Sequence, residues 1–170
     1  GVPFITNEFV TNVSCSGGSD GAIDFTVKGG AEPYTFMWSN GATTEDINNL
    51  SEGAYQVTFT DANLCSSSSL IIVGQPNQMT LLAQSSDQSC EQSVDGSITL
   101  NVYGGIEPYK YEWSNGFSTQ HLQNINQGSY QVTVTDYHGC TSVASASVFN
   151  PEKITIGGSV TPNCPNMSNG

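Results

Sequence analysis

Apolar and polar residues alternate along much of this chain. Ile23, Phe25 and Val27 form one apolar trio, Tyr34, Phe36 and Trp38 a second, and Tyr55, Val57 and Phe59 a third. A period of two puts the members of a trio on one face of a β-strand. The trios are separated by Gly, Pro and Asn-Gly, which end strands and close turns. No stretch carries the three-to-four spacing of an amphipathic helix. A first strand is expected from about Ile5 to Val13 and a last from Leu70 to Val73, before a boundary at Gln75-Pro76. The pattern predicts an all-β antiparallel sandwich.

The same pattern then returns. Moving Cys15 onto Cys90 aligns Cys15 through Pro76 with Cys90 through Pro151 without a gap, and 27 of the 62 pairs are identical. Identity this dense makes the segments copies of one domain. The inward trios return as Ile98, Leu100 and Val102, as Tyr109, Tyr111 and Trp113, and as Tyr130, Val132 and Val134. Sizes change while apolarity holds, which is what a packed core tolerates. The expected domains are a first repeat over residues 1–76, a second over 77–151 and the start of a third over 152–170, where Asn163-Cys164 and Asn169-Gly170 match Ser14-Cys15 and Asp20-Gly21. The natural chain is therefore expected to continue.

Two details point to an immunoglobulin-like sandwich. Trp38 stands where such a domain buries the tryptophan of its third strand, and Gly53-x-Tyr55-x-Val57 resembles the tyrosine corner. Val57 takes the place of a second core cysteine, so no inter-sheet disulfide is expected. Trp38 and Tyr55, with Trp113 and Tyr130 in the second copy, are assigned to the core rather than to a sugar-stacking platform. The less regular aromatics Phe117 and Tyr137 replace Ala42 and Ala62 of the first copy, and are the better places to look for a glycan contact. Asn40-Gly41 and Asn115-Gly116 read as hairpin turns that set register. A linker of so few residues leaves little slack, so consecutive repeats are expected to stack as a stiff rod.

Charge narrows the function. The chain has 3 basic and 15 acidic residues and a formal net charge of −12, so a nucleic-acid partner is excluded. The aliphatic run Leu70-Ile71-Ile72-Val73 is far shorter than the ~20 residues of a membrane helix, and any export signal is expected outside this segment. The acids Asp20, Asp61, Asp95 and Asp136 recur in both copies, as do Glu32 and Glu107. The four aspartates are the candidate calcium ligands, although their spacing matches no defined calcium loop and Asp-Gly is ordinary turn chemistry. Otherwise no cofactor is expected. His121 and His138 have no counterpart in the other copy and no believable nucleophile partner, so catalysis is not expected.

Four of the five cysteines fall at matched positions, Cys15 with Cys90 and Cys65 with Cys140, which favours disulfides and an oxidising compartment over zinc. Pairing within repeats, Cys15 with Cys65 and Cys90 with Cys140, is the expectation, since two cysteines per repeat commonly staple their own domain. The alternative, Cys15 with Cys140, remains open, because in a simple sandwich the turn after the first strand and the turn before the last lie at opposite ends. Cys164 lacks a partner under either scheme.

The combined motif, Gly29-Gly30-x-x-Pro33-Tyr34-x-Phe36-x-Trp38-Ser39-Asn40-Gly41, then Gly53-x-Tyr55-x-Val57-Thr58-x-Thr60-Asp61 and Cys65, resembles the SprB repeat in both copies. Part of it is similar to PKD domains, which agree on fold. Leu64 departs from the usual turn, where the second copy has Gly139. The resemblance implies a very large cell-surface adhesin of gliding Bacteroidetes, exported by type IX secretion to the exterior of the outer membrane. Its implied partners are neighbouring repeats, the gliding and secretion machinery, and extracellular polysaccharide or a solid surface. It brings no catalytic residues. The rival reading is an accessory carbohydrate-binding or spacer module of a secreted polysaccharide-degrading enzyme.

Overall fold

A computed structural model describes residues 1–90 and 92–152. The chain divides into two compact units, Gly1–Gln78 and Met79–Gly170. The third repeat expected over 152–170, with Cys164, lies outside the described residues apart from its first position.

Unit 1 has six strands: β1 (Phe4–Thr11), β2 (Gly21–Lys28), β3 (Thr35–Trp38), β4 (Ile47–Leu50), β5 (Gly53–Thr60) and β6 (Ser66–Val73). They form two antiparallel sheets, β1-β2-β4 and β3-β5-β6. Unit 2 repeats the plan with β7 (Thr80–Ser86), β8 (Gly96–Tyr103), β9 (Lys110–Trp113), β10 (Leu122–Ile125), β11 (Gly128–Thr135) and β12 (Thr141–Val148), in sheets β7-β8-β10 and β9-β11-β12. Each unit is an immunoglobulin-like β-sandwich.

The alternating trios supply the cores. Ile23, Phe25 and Val27 of β2 face Val57 and Phe59 of β5 and the buried Trp38. Phe25 is the centre of an aromatic cluster, meeting Phe36 edge-on at 5.9 Å and Trp38 at 5.5 Å. In unit 2, Leu100 takes the place of Phe25 and packs with Trp113, Val132 and Val134. Trp38 Nε1 donates to Thr44 O at 2.9 Å and Trp113 Nε1 to Thr119 O at 2.8 Å, so each buried indole satisfies its single donor. Tyr55 and Tyr130 are half-buried against these cores. Their hydroxyls donate to Ser51 O and Asn126 O, four residues upstream, which is the tyrosine-corner contact.

Several elements differ from the sequence expectation. The first strand ends at Thr11, and Val13 is buried in the turn beyond it. The last strand begins at Ser66, four residues before its apolar run, because Ser66 to Ser69 hydrogen-bond along β5 without contributing apolar bulk. The Asn40-Gly41 and Asn115-Gly116 turns do reverse the chain, with Gly41 at φ 87° and Gly116 at φ 86°. They are not hairpins between paired strands: β3 pairs with β5, whereas the strand that follows the turn, β4, pairs with β2 in the other sheet. The turn therefore carries the chain across the sandwich. The Glu32-Pro33 and Glu107-Pro108 peptide bonds are cis.

Candidate functional site

The chemistry-bearing residues gather at the two ends of each sandwich. At the head end, where the first strand starts, Ser67 Oγ of β6 donates to Pro3 O. Here the turn before β6 is built around Asp61, which is buried. Its Oδ1 accepts from Asn63 N and Cys65 N, each at 2.9 Å, and its Oδ2 from Ala31 N at 3.0 Å. Burial works against the carboxylate, yet the donors from Cys65, Ala31 and Asn63 win, and the acid is held below its ordinary range. Asp136 repeats this with His138 N, Cys140 N and Ile106 N. Leu64 holds φ 65° where Gly139 holds φ 87°, and the N–H of each donates to the carbonyl of its aspartate. The turn is thus kept despite the departure at Leu64, with a leucine in left-handed backbone.

At the tail end, where the last strand finishes, Asp20 and Asp95 close the turn after the first strand. Asp20 accepts from Ser14 N and Ser14 Oγ. Asp95 accepts from Ser89 Oγ, Ser93 Oγ and Ser89 N, and these donors pull its acid down to about 2. All four candidate calcium ligands are therefore engaged with N–H or O–H donors. The described residues contain no group of three or more His, Cys, Asp or Glu side chains arranged to hold a metal ion.

Cys65 is a free thiol, whereas Cys15, Cys90 and Cys140 are disulfide-bonded. The expected Cys15–Cys65 staple is therefore corrected. Cys15 follows β1 at the tail end and Cys65 precedes β6 at the head end, and a strand of eight residues spans roughly 26 Å. Disulfide Cα atoms lie within about 4.4–6.8 Å. Cys90 and Cys140 stand at the corresponding opposite ends of unit 2, so the second expected staple fails for the same reason.

Phe117 and Tyr137 are exposed by 54% and 68%. Phe117 borders an open recess of about 430 Å³ with Thr119, Gln120, His121, Leu122 and Gln123. Sequence reasoning singled out the aromatic and missed the amides. Tyr34, Tyr109 and Tyr111 all have raised pKa values, first through burial and then through nearby acids, with Tyr109 also acting on Tyr111.

The sequence model of the SprB repeat matches residues 7–43 and 82–117, the first three strands of each unit. Each unit is thus similar to the SprB repeat over its first three strands. No curated protein matches it in sequence. Among solved structures it is similar to DIP-gamma IG1+IG2, at 12% identity and a TM-score of 0.47, covering 90% of this chain and 99% of that one. The eight N-terminal Ig domains of Down Syndrome Cell Adhesion Molecule match at 14% identity and a TM-score of 0.44 over 89% of this chain, which spans 25% of theirs. A C-terminal intimin fragment, in complex with the intimin-binding domain of Tir, matches at 14% identity and a TM-score of 0.41, covering 84% of this chain and 63% of that one. SprB repeats and immunoglobulin-like folds are typical of non-catalytic repeat modules, and the repeat suggests an adhesin-type protein of gliding motility. No helix among the described residues is long and apolar enough to cross a membrane.

Proposed function

We propose that this chain is a repeat segment of a large secreted adhesin, displayed outside the outer membrane and used in gliding motility and surface attachment. The observation that carries this reading is the SprB repeat match in both copies. The repeats act as a stiff series that projects a binding region and transmits force to the cell. Each unit has its own core, and only a few residues join them, which suits a module that is multiplied rather than elaborated. Extracellular polysaccharide is the proposed ligand class, with the recess beside Phe117 as its point of contact.

The test uses antibodies raised against the 170-residue chain, applied to intact cells of the species that encodes it. Label that decorates living cells, travels along their surface and is lost when the gene is deleted supports the reading. Label confined to a released polysaccharide-degrading enzyme would favour the accessory-module reading instead.

A further inference from the structure

The connection from the third strand to the fourth differs in chemistry between the two units. Residues 42–48 of unit 1 include Glu45 and Asp46, whereas residues 117–123 of unit 2 contain no acid and begin with Phe117 in place of Ala42. The fold does not require these changes. Asp46 Oδ1 accepts from Phe25 N, and His121 Nδ1 accepts from Leu100 N, so a carboxylate or an imidazole can finish the strand edge. The backbone at residue 117 also repeats that at residue 42. Trp38 N donates to Ala42 O and Trp113 N to Phe117 O, each at 2.9 Å. Phe117 keeps that place while its side chain stays 54% exposed. The exchange therefore alters the surface and not the scaffold: around the recess of about 430 Å³, two carboxylates are gone and an aromatic face is gained.

Resting on polysaccharide as the ligand class, we propose that the Phe117 recess binds the neutral pyranose units of a glycan and turns away anionic ones, and that unit 1 has no equivalent site. The recess is arranged for hydroxyl groups. Because His121 Nδ1 is an acceptor, the neutral ring carries its hydrogen on Nε2, which is left to donate. Gln120 Nε2 donates to Leu100 O at 3.0 Å, which orients the amide and leaves Oε1 to accept. Thr119 Oγ1 gives its hydrogen to His121 O at 2.7 Å and likewise offers lone pairs. A sugar hydroxyl both donates and accepts, so it answers either kind of partner.

A carboxylate or sulfate oxygen only accepts. It would meet the lone pairs of Gln120 Oε1 and Thr119 Oγ1 with nothing to donate. The net charge of −12 adds long-range repulsion of polyanions. Phe117 supplies the apolar half of the site, since the C–H face of a pyranose ring packs on an aromatic face. The recess volume lies within the ~300–1,000 Å³ usual for small-ligand clefts. At the matching positions of unit 1, Ala42 offers no ring and the ionised Asp46 no donor.

The test is affinity electrophoresis of the intact 170-residue chain. Native gels are cast with a neutral polymer (laminarin, glucomannan, arabinoxylan or mannan) or with a polyanion (alginate or κ-carrageenan). Retardation by at least one neutral polymer and by neither polyanion is expected. Phe117→Ala and His121→Asp should each weaken the binding about tenfold, or ~1.4 kcal/mol. Both copy residues that unit 1 carries at the same place, and His121→Asp keeps an acceptor for Leu100 N, so the loss reports the surface rather than the fold. Titration of the parent chain with oligosaccharides of the retained polymer should shift the Phe117 backbone amide and the side-chain amides of Gln120 and Gln123 in NMR spectra, a result that needs no variant to fold. Retardation by none of the neutral polymers, retardation by either polyanion, or retardation unchanged in Phe117→Ala overturns the proposal. A chain that travels on living cells yet is retarded by no neutral polymer sinks this proposal alone. Retardation through Phe117 by a chain absent from the cell surface sinks the adhesin reading alone.

Discussion

Leu64 occupies a backbone conformation that an L side chain adopts at a cost of about 1–2 kcal/mol, while its counterpart Gly139 adopts it freely. Leu64 is 84% exposed, so it recovers little of that cost through packing. Leu64→Gly is expected to raise the stability of unit 1 by about 1 kcal/mol, and Gly139→Leu to lower that of unit 2 similarly, both measured by denaturant titration. Asp95 yields a pH prediction. Its folded pKa of about 2 lies below the unfolded value of about 3.9. A depressed carboxyl contributes stability that is complete above the unfolded pKa and disappears as pH falls from about 4 to 2. Ser89→Ala removes the hydroxyl that contributes most to the depression, so the Asp95 carboxyl should titrate at higher pH by NMR, and acid unfolding of unit 2 should move the same way.

At the scale of elements, much of the fold is legible because burial with period two is written directly in the trios of β2, β5, β8 and β11. The four-residue strands β4 and β10 are not. Only Ile47 and Leu50, or Leu122 and Ile125, face inward there, and Asn49 and Asn124 sit at φ 55° and 53°, which interrupts the alternation. The site was less legible than the fold, since cysteine spacing reports matched positions but not which end of a sandwich each occupies. Nor does the pattern reveal how β2 and β8 finish their edges. β4 pairs with β2 only from Gly21 to Ile23, and beyond it Phe25 N donates to Asp46 Oδ1 and Val27 N to Glu45 Oε1. In unit 2, Leu100 N donates to His121 Nδ1, and Gln120 Nε2 donates to Leu100 O. Side chains here complete a ladder that the short strand leaves open. His121→Ala should cost about 1 kcal/mol, the usual net worth of one hydrogen bond, and hasten amide exchange at Leu100. His121→Asp, which copies Asp46, should restore protection, as read by hydrogen exchange with NMR detection.

For the whole molecule, each sandwich owns a complete core and its own tyrosine corner, and neither depends on a staple within the repeat. Residues 1–78 produced alone should therefore fold in one cooperative transition, with Trp38 fluorescence and far-ultraviolet circular dichroism changing together. Under oxidising conditions, the monomeric fragment should show two reactive thiols in Ellman titration, because Cys15 and Cys65 are held a strand length apart. A monomer that folds and shows none would mean that the two ends of the sandwich meet, and the end-to-end geometry would fail with it.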